Sequence, residues 1–286
     1  MNSKIELGRV NRLKIDRKSD HGFYLVSKNG EDVLLPNRYV TNLMKIGDEM
    51  DVFIYNDSED RLISTTERPL AMVGEFGYLK VVDITKFGAF AEWGLPKDLF
   101  IPKSAQKYPL KKGESHIFYI TLDKNTNRLT GSTKLEKYLK SDTKNLQKNQ
   151  ETEIIITAKT PLGFKVIADN LYEGLLYHNE IFEKISIGEK KKGYIKKIRE
   201  DGKLDISLQP TGEQKEKTAM EKVLKVLKES KGEMPYHYKT DAQVIKEIFS
   251  LSKKSFKKTL TQLQEKNLIK VENQKTILQS PFTLEI

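Results

Sequence analysis

The stretch ITKFGAFAEWG, residues 84–94, sets a glycine between two phenylalanines, Phe87 and Phe90, and has Trp93 close behind them. A glycine inside a strand usually marks a bulge or a place where another backbone comes close. Two interpretations of the three aromatic residues are open at this point. They fill the inside of a strand-built core, or they form a surface on which planar groups stack.

Three units of the chain share one spacing of landmarks. Each begins at a glycine, in DHGFYLV, KFGAFAE or PLGFKVI, and continues at matching distances with an acidic residue, a short apolar run, a second glycine and a cation. In chain order, these landmarks are Gly22, Gly88 and Gly163; Asp32, Asp98 and Glu173; Gly47, Gly113 and Gly188; and Arg61, Arg128 and Lys203. Such self-similarity indicates an internal triplication with units of roughly 60–65 residues.

Each unit contains several short runs rich in Val, Ile, Phe, Tyr and Leu, which predict strands, and no long helical pattern interrupts them. The segments NDSED, KNTN and REDG, one in each unit, are typical of turns. So short a sheet would leave exposed edges, which closure into a barrel removes. The sequence therefore predicts three small closed antiparallel barrels in tandem.

The segments FGAF, KDLFIP, KKGE and LDKNTNRLTGS of the second unit resemble the S1-type RNA-binding domain, a barrel with the OB fold. All three units are similar to it, over about residues 5–210. The resemblance implies RNA binding by two aromatic residues that flank the first glycine, a histidine after the apolar run, and an Asp and an Arg near the last hairpin. By position, the implied RNA-binding residues are Phe87, Phe90, Asp123 and Arg128 in the second unit, Tyr24 and Arg61 in the first, and Tyr177, His178 and Lys203 in the third.

The three units depart from the family pattern to different degrees. Pro36 and Pro102 stand where the first and second units are expected to have histidine, whereas Tyr177 stands there in the third. His21 replaces one aromatic residue of the first unit, and non-aromatic residues replace both in the third. The second unit is therefore expected to be the best-equipped binder and the first the weakest.

Stacking is also the interpretation that the residues favour without the resemblance. Bases stacked on aromatic faces contribute about 1–3 kcal/mol each, while Arg and Lys follow the phosphates. Phe87 and Phe90 are expected on one barrel face near Arg128. The alternative is that Phe90 is a core residue and Trp93 covers a barrel end. Trp93 is left out of the binding set, because neither sister unit has an aromatic residue at its position.

After residue 210 the pattern becomes helical. Apolar residues recur at helical spacing in AMEKVLKVLKES, in TDAQVIKEIFSLS behind Thr240 or Asp241 as N-cap, and in SKKSFKKTLTQL behind Ser252 as N-cap. The apolar lines are Met220, Val223, Leu224 and Leu227; Val244, Ile245 and Ile248; and Phe256, Leu260 and Leu263. GEMPYHY is expected to be a loop and LIKVENQKTIL a two-stranded hairpin, so the region predicts a winged helix.

Lysines lie off the apolar line of the third predicted helix, and another lies at the hairpin tip. These candidate nucleic-acid contacts are Lys253, Lys254, Lys257, Lys258 and Lys275. Arg is the common bidentate reader of guanine, and residues 211–286 contain none. Sequence-tolerant binding or protein docking is therefore favoured over sequence-specific duplex recognition. A solvated polar helix face is the alternative.

The order of three S1-type units and a winged helix, together with the SLSKKSFKKTLTQL helix, resembles the bacterial conserved virulence factor B family. The resemblance spans nearly the whole chain and implies a non-enzymatic RNA-binding regulator of gene expression. The expected fold is multidomain and mostly β with an α+β C-terminal domain. It has OB-fold barrels at 1–68, 69–136 and 151–210, a linker at 137–150 and the winged helix at 211–286.

The composition agrees with a nucleic-acid partner. A formal net charge of +10 favours polyanions, and the absence of cysteine leaves no disulfide framework or thiolate metal site. The four histidines show no paired spacing, so neither a metal nor a cofactor is expected. Without an apolar run of about 20 residues or an apolar signal core, a cytoplasmic protein is expected.

The expected partner is single-stranded RNA, with DNA as a further candidate and no membrane. Two alternatives stay open: a transcription regulator whose winged helix binds duplex DNA, and a protein associated with the ribosome or RNA polymerase. The basic stretch EKKKGYIKK, residues 189–197, is predicted either to extend the nucleic-acid face of the third barrel or to protect a sheet edge. The oligomeric state is left open.

Overall fold

A computed structural model of the chain describes residues 1–181, 183–210 and 213–279, with only the main chain of residues 213–215. The chain divides into two compact units, Met1–Leu139 and the residues from Lys140 onward. No helix in the described ranges is both long and apolar enough to cross a membrane. The domain boundaries given above stay predictions, and residues 211, 212 and 280–286 of the predicted winged-helix domain lie outside the described residues.

The first barrel forms from alternating strands. In the first of them, Leu13 and Ile15 are fully buried while the lysine between them faces solvent, which is the period of a half-buried strand. Its strands are β1, Val10–Ser19; β2, Gly22–Val26; β3, Asp32–Pro36; β4, Glu49–Asn56; and β5, Leu62–Thr65. They close in the order β1-β2-β3-β5-β4.

The second and third barrels repeat this order. The strands of the second barrel are β6, Phe76–Ile84; β7, Gly88–Glu92; β8, Leu99–Pro102; β9, Ser115–Leu122; and β10, Leu129–Ser132. The strands of the third are β11, Glu151–Thr160; β12, Gly163–Ala168; β13, Tyr172–Tyr177; β14, Lys190–Ile198; and β15, Leu204–Ser207. Both barrels are closed with the strand order of the first, which confirms three tandem OB-like barrels.

The barrels are not wholly antiparallel, as the sequence had predicted, because one pair in each is parallel: β3 with β5, β8 with β10 and β13 with β15. Chain direction requires this pair. In the first barrel β4 runs against β1 and β5 runs against β4, so β5 has the direction of β1. Because β3 also has that direction, β3 and β5 can meet only in parallel.

A close backbone approach explains the first glycine of each unit. Gly88 lies opposite Pro102, and a Cβ added to it would lie 2.3 Å from the carbonyl oxygen of Ile101. At Gly22 and Gly163 the corresponding distance is 2.0 Å. No side chain fits at such distances. The first glycine of each unit is therefore required at the point where the second strand of the barrel pairs with the third.

The first two barrels are joined by the strand β4, which is buried on both faces. Val52 and Ile54 face the core of the first barrel, whereas Phe53 and Tyr55 belong to the core of the second. Phe53 meets Trp93 edge-on, with 5.9 Å between ring centroids. Large aromatic rings thus fix these two barrels against each other within the first unit.

The C-terminal region is a winged helix. Its elements are α1, Glu213–Glu229; β16, Glu233–Met234; α2, Ala242–Phe249; α3, Lys253–Glu265; β17, Ile269–Val271; and β18, Thr276–Leu278. The sheet order is β16-β18-β17. The loop predicted for GEMPYHY is wrong at its start, because Glu233 and Met234 pair with β18 and add a strand to the hairpin.

Caps define where the last two helices begin. The Asp241 side chain accepts a hydrogen bond from the backbone N–H of Gln243, so Asp241 and not Thr240 caps α2. The Ser252 side chain caps α3 in the same way, as predicted.

The core of the winged helix differs from the prediction on α2, where Val244 is only partly buried and lies outside the core cluster. Ile248, expected to face inward, is 44% exposed, while Phe249 is 2% exposed. Ile245 and Phe249 lie four residues apart on one face of α2, and that face meets Phe256 of α3. The buried face of α2 therefore contains Phe249 in place of the predicted Ile248.

Candidate nucleic-acid interface

A groove of about 690 Å³ runs along the second barrel and ends against the first. Its walls are largely apolar, and Phe90, Leu99 and Phe100 contribute to them. Charged side chains from two hairpins line it as well, among them Asp123 and Arg128. All four site residues predicted for the second unit line this one groove: Phe87, Phe90, Asp123 and Arg128.

The two phenylalanines have different environments. Phe87 is 69% exposed, and its ring lies 5.0 Å from the Lys86 amino group. Phe90 is half-buried and packs on Phe100, its cross-strand partner, at 5.2 Å between ring centroids. The turn before Gly88 accounts for the exposure of Phe87, because the chain bends there before β7 begins.

Trp93 is a core residue. It is 2% exposed, and its indole N–H donates to the carbonyl oxygen of Lys97 at 2.6 Å. Its packing on Phe53 of the first barrel gives it a structural role at the junction of the two barrels. It also lines the groove.

The hairpin between β9 and β10 holds Asp123 as a turn cap. Its carboxylate accepts hydrogen bonds from the backbone N–H groups of Thr126 and Asn125 and from the Thr126 hydroxyl. These bonds lower the pKa of Asp123 below its usual value, because they favour the charged form. The backbone N–H of Asp123 donates to the carbonyl oxygen of Arg128 at 2.8 Å, which brings the two predicted residues together.

Arg128 is held by a residue of the first barrel. Its guanidinium pairs with Asp60, in the hairpin between β4 and β5. Lys97 reaches the same hairpin, where its amino group lies 3.5 Å from the Asp60 carboxylate and donates to the carbonyl oxygen of Asp57 at 2.6 Å. Two cations of the groove are therefore positioned by one carboxylate from the neighbouring barrel.

Several groove residues were missed by the sequence-based site prediction: Asn56, Ser58, Asp60, Lys97 and Phe100. Phe100 lies two residues after the landmark Asp98, and pairing of the second and third runs would have set it beside Phe90. The residues of the first barrel carry no such signal, because their place in the groove depends on how the two barrels pack.

The predicted residues of the first barrel have other partners. The Arg17 guanidinium lies 4.2 Å from the centroid of the Tyr24 ring and covers it. Arg61 pairs with Asp57 and Glu59 of its own hairpin. Hydrogen bonds from Arg17 to Asp32 and Asp16 raise the pKa of Arg17. Tyr24 and Arg61 thus have partners within their own barrel, whereas His21, which precedes Gly22 as Phe87 precedes Gly88, is exposed.

In the third barrel, Tyr177 and His178 have separate neighbours. The Tyr177 hydroxyl accepts a hydrogen bond from Arg199 at 3.2 Å. His178 meets Phe164 edge-on at 5.8 Å, and the third predicted residue, Lys203, pairs with Glu173 at 3.3 Å. Of the three, Tyr177 alone lines the groove described next.

A second groove, of about 630 Å³, lies on the third barrel. The residues that line it are Lys148, Tyr177, Lys196, Lys197, Ile198 and Asp205. The basic strand β14 pairs with both β11 and β15, so the hypothesis that it protects a sheet edge is wrong for a closed barrel. Its lysines instead give this groove a basic rim.

Arg199 was also missed by the sequence-based site prediction. Its backbone N–H donates to the carbonyl oxygen of Lys203 at 2.9 Å, which is the place that Asp57 and Asp123 have in the other two hairpins. An alignment of the three hairpins would have identified it. Arg199 pairs with Asp205 and lies beside Tyr177, so an arginine replaces the turn aspartate in the third unit.

The predicted lysines of the winged helix fall into two groups. Lys258 pairs with Glu216 of α1, and Lys275 pairs with Glu233 of β16 at 3.1 Å. The pKa of Glu216 is lowered by hydrogen bonds from Lys258 and Gln262. Lys254 and Lys257 are exposed and Lys253 is partly exposed on α3, and within the described part of the chain these three form no ion pair.

Comparisons with known proteins identify the architecture. Residues 7–67 match the family model of an S1 domain, and residues 221–278 match that of a CvfB-like winged helix domain. Conserved virulence factor B of Staphylococcus saprophyticus is 25% identical, over 95% of this chain and 94% of its own. Over nearly its full length the chain is similar to proteins named conserved virulence factor B.

Other similar proteins include a further relative and a solved structure. The uncharacterized protein YitL of Bacillus subtilis is 28% identical, over 93% of this chain and 91% of its own length. A crystal structure of a multidomain protein with nucleic acid binding domains from Streptococcus pneumoniae is 24% identical, with a TM-score of 0.40, over 95% of this chain and 98% of that one. The S1 and winged-helix domains of this chain indicate a nucleic-acid-binding regulator.

Proposed function

We propose that this protein is a non-enzymatic, cytoplasmic regulator of gene expression that binds single-stranded RNA, chiefly in the groove of the second barrel. The observation that supports this most is the exposed ring of Phe87 at the mouth of a groove that also contains Phe90 and Arg128. Stacking on an exposed ring needs an unpaired base, which favours single strands over duplexes.

In this proposal aromatic side chains bind the bases and cationic side chains bind the phosphates. One base stacks on the free face of Phe87, and the next lies in the groove against Phe90 and Phe100. Arg128 and Lys97 lie beside the strand and attract its phosphates. Arg128 keeps donors for a phosphate while it pairs with Asp60, because a guanidinium has five N–H groups.

Two further surfaces would strengthen this binding. The groove of the third barrel presents lysines beside the half-buried ring of Tyr177, and α3 presents Lys254 and Lys257. Linked weak sites on one chain raise affinity when they can engage one strand together. The charge of these surfaces suits phosphates of any sequence.

Titration of the full chain into a fluorescently labelled single-stranded oligoribonucleotide tests the proposal. We expect binding at micromolar protein or below and a steep loss with salt, with log K falling by about 0.7 per phosphate contact for each tenfold rise in salt concentration. Lack of binding at micromolar protein and low salt would refute it. A labelled single-stranded DNA of the same sequence measures the preference for RNA.

Duplex DNA binding by the winged helix is the second candidate. It is favoured by the exposed lysines of α3, the helix that enters the major groove in many DNA-binding proteins. Competition separates the two candidates. An unlabelled duplex DNA should displace bound RNA poorly if the barrels dominate, and a duplex of one particular sequence should displace it strongly if α3 reads DNA.

A further inference from the structure

The groove of the second barrel is closed at one end by the first barrel. Asn56, Ser58 and Asp60, at the end of β4 and in the hairpin that follows it, line the groove. This wall is rigidly supported, because Phe53 and Tyr55 of the same strand are buried in the core of the second barrel. The groove is thus built from two barrels within one compact unit.

Asn56 has an unsatisfied hydrogen-bond acceptor at this wall. The residue is 9% exposed, and its Oδ1 is buried without a hydrogen-bond partner. The amide is weakly held, since its Nδ2 lies 3.5 Å from the carbonyl oxygen of Asp60, at the limit for a hydrogen bond. A buried acceptor left without a donor is costly, so rotation of this weakly held amide, which presents Oδ1 to an N–H group of a ligand in the groove, gains binding energy.

Asp98 adds a second acceptor to the same groove. It is half-buried and takes part in no hydrogen bond or ion pair with the described residues. Burial, together with the nearby carboxylates of Glu92 and Asp83, raises its pKa. The cations of the groove, Lys97 and Arg128, both contact Asp60, and neither forms an ion pair with Asp98.

We infer that the end of the groove between the two barrels is a nucleobase subsite, in which Asn56 and Asp98 accept hydrogen bonds from the exocyclic amino group of adenine or cytosine. The base lies against Phe90 and Phe100. Uracil has a carbonyl oxygen in place of that amino group, so it would place a hydrogen-bond acceptor against the acceptors of Asn56 and Asp98. This inference rests on the proposed function and adds to it a class of base and the barrel that selects it.

The test compares labelled single-stranded homopolymers of A, C and U of equal length, titrated with the full chain. The wild type is expected to bind the A and C strands roughly tenfold more tightly than the U strand. Asn56→Leu keeps the shape and removes the acceptor, and is expected to lose most of this preference. Ser27→Ala is the matched control, because Ser27 is also buried in the first barrel with an unpartnered hydroxyl and does not line the groove.

Asp98→Asn is the second variant, for use if Asn56→Leu does not fold. The new amide can donate to the carbonyl oxygen of uracil, so the preference is expected to shift toward the U strand. Equal binding of the three strands by the wild type, or an unchanged preference in the variant that folds, overturns the inference and leaves RNA binding intact. If the wild type binds no strand, the proposed function fails and the inference fails with it.

Discussion

The first and second barrels share a strand order and the same glycine bend, yet their binding positions differ. In the second barrel Phe87 is 69% exposed beside an open groove. In the first, Tyr24 lies under Arg17, and Arg61 is paired with Asp57 and Glu59. An S1-type fold therefore does not by itself create a nucleic-acid site, because the outcome depends on which side chains occupy the positions that the fold offers.

The hairpin between β4 and β5 of the first barrel contributes to the groove of the second barrel. Asp60 pairs with Arg128 of the second barrel, and Asn56 forms part of the groove wall. The first barrel thus supports the groove of the second. This difference can be tested by variants at equivalent positions of the two barrels.

The largest effect is expected from Gly88→Ala. The new Cβ would lie 2.3 Å from the carbonyl oxygen of Ile101, and relief of that clash should cost about 3 kcal/mol of unfolding free energy. Gly113→Ala is the control, with φ +88° and open space around it, and should cost about 1–2 kcal/mol. Guanidinium unfolding followed by the fluorescence of Trp93, the single tryptophan, measures both. Equal losses in the two variants would contradict the role given to the bend.

Phe87→Ala should have the next largest effect. Loss of one stacked base costs about 1–3 kcal/mol, so the affinity for single-stranded RNA should fall roughly 5- to 150-fold without loss of stability. His21→Ala removes the exposed ring at the equivalent position of the first barrel and should change the affinity less than twofold. Similar losses in both variants would mean that the two barrels bind alike.

Asp60→Asn should have a smaller effect of opposite sign. The Asp60 carboxylate competes with phosphate for Arg128 and Lys97, so its removal should raise RNA affinity up to about fivefold at low salt, and less at high salt. Glu59→Gln is the control, because Glu59 lies in the same hairpin and pairs with Arg61. A fall in affinity for the Asp60 variant would show that the carboxylate holds the cations in place for binding.

The smallest effect concerns two carboxylates of the second barrel whose pKa values shift in opposite directions. Burial raises the pKa of Asp98, so its charged form opposes folding, and the stability it contributes below the usual pKa of 3.8 is lost as the pH rises through the raised pKa. Asp98→Asn should therefore stabilise the chain at pH 7, by at most about 1 kcal/mol, and change little near pH 3.

Asp123 should behave in the opposite way. Its pKa is lowered, so its contribution is present above the usual pKa of 3.8 and is lost as the pH falls through the lowered pKa. Asp123→Asn should destabilise the chain at pH 7, and the difference should shrink as the solution is acidified. Melting temperatures of both variants between pH 3 and pH 7 give the comparison. Parallel curves would contradict the assigned causes.

The sequence by itself determined the repeated architecture. The glycine spacing gave the register between the second and third strands, as at Gly88 and Pro102, and the helical periodicity of the last segment predicted the winged helix with its Ser252 cap. These signals are local or periodic, so they can be recognised in the amino-acid sequence alone. The buried residue of α2 is Phe249 and not the predicted Ile248, one residue away, because α2 packs on α3 through Phe249.

Only the tertiary structure decided which barrel has an open groove and what lines it. The contacts of Arg17 with Tyr24 and of Asp60 with Arg128 each depend on a charged residue, Arg17 or Asp60, that is not a landmark of the repeat. Asp60 and Arg128 meet because Phe53 is buried against Trp93 where two barrels pack together. Strand formation depends on neighbours along the chain, whereas the composition of a groove depends on which distant surfaces fit together.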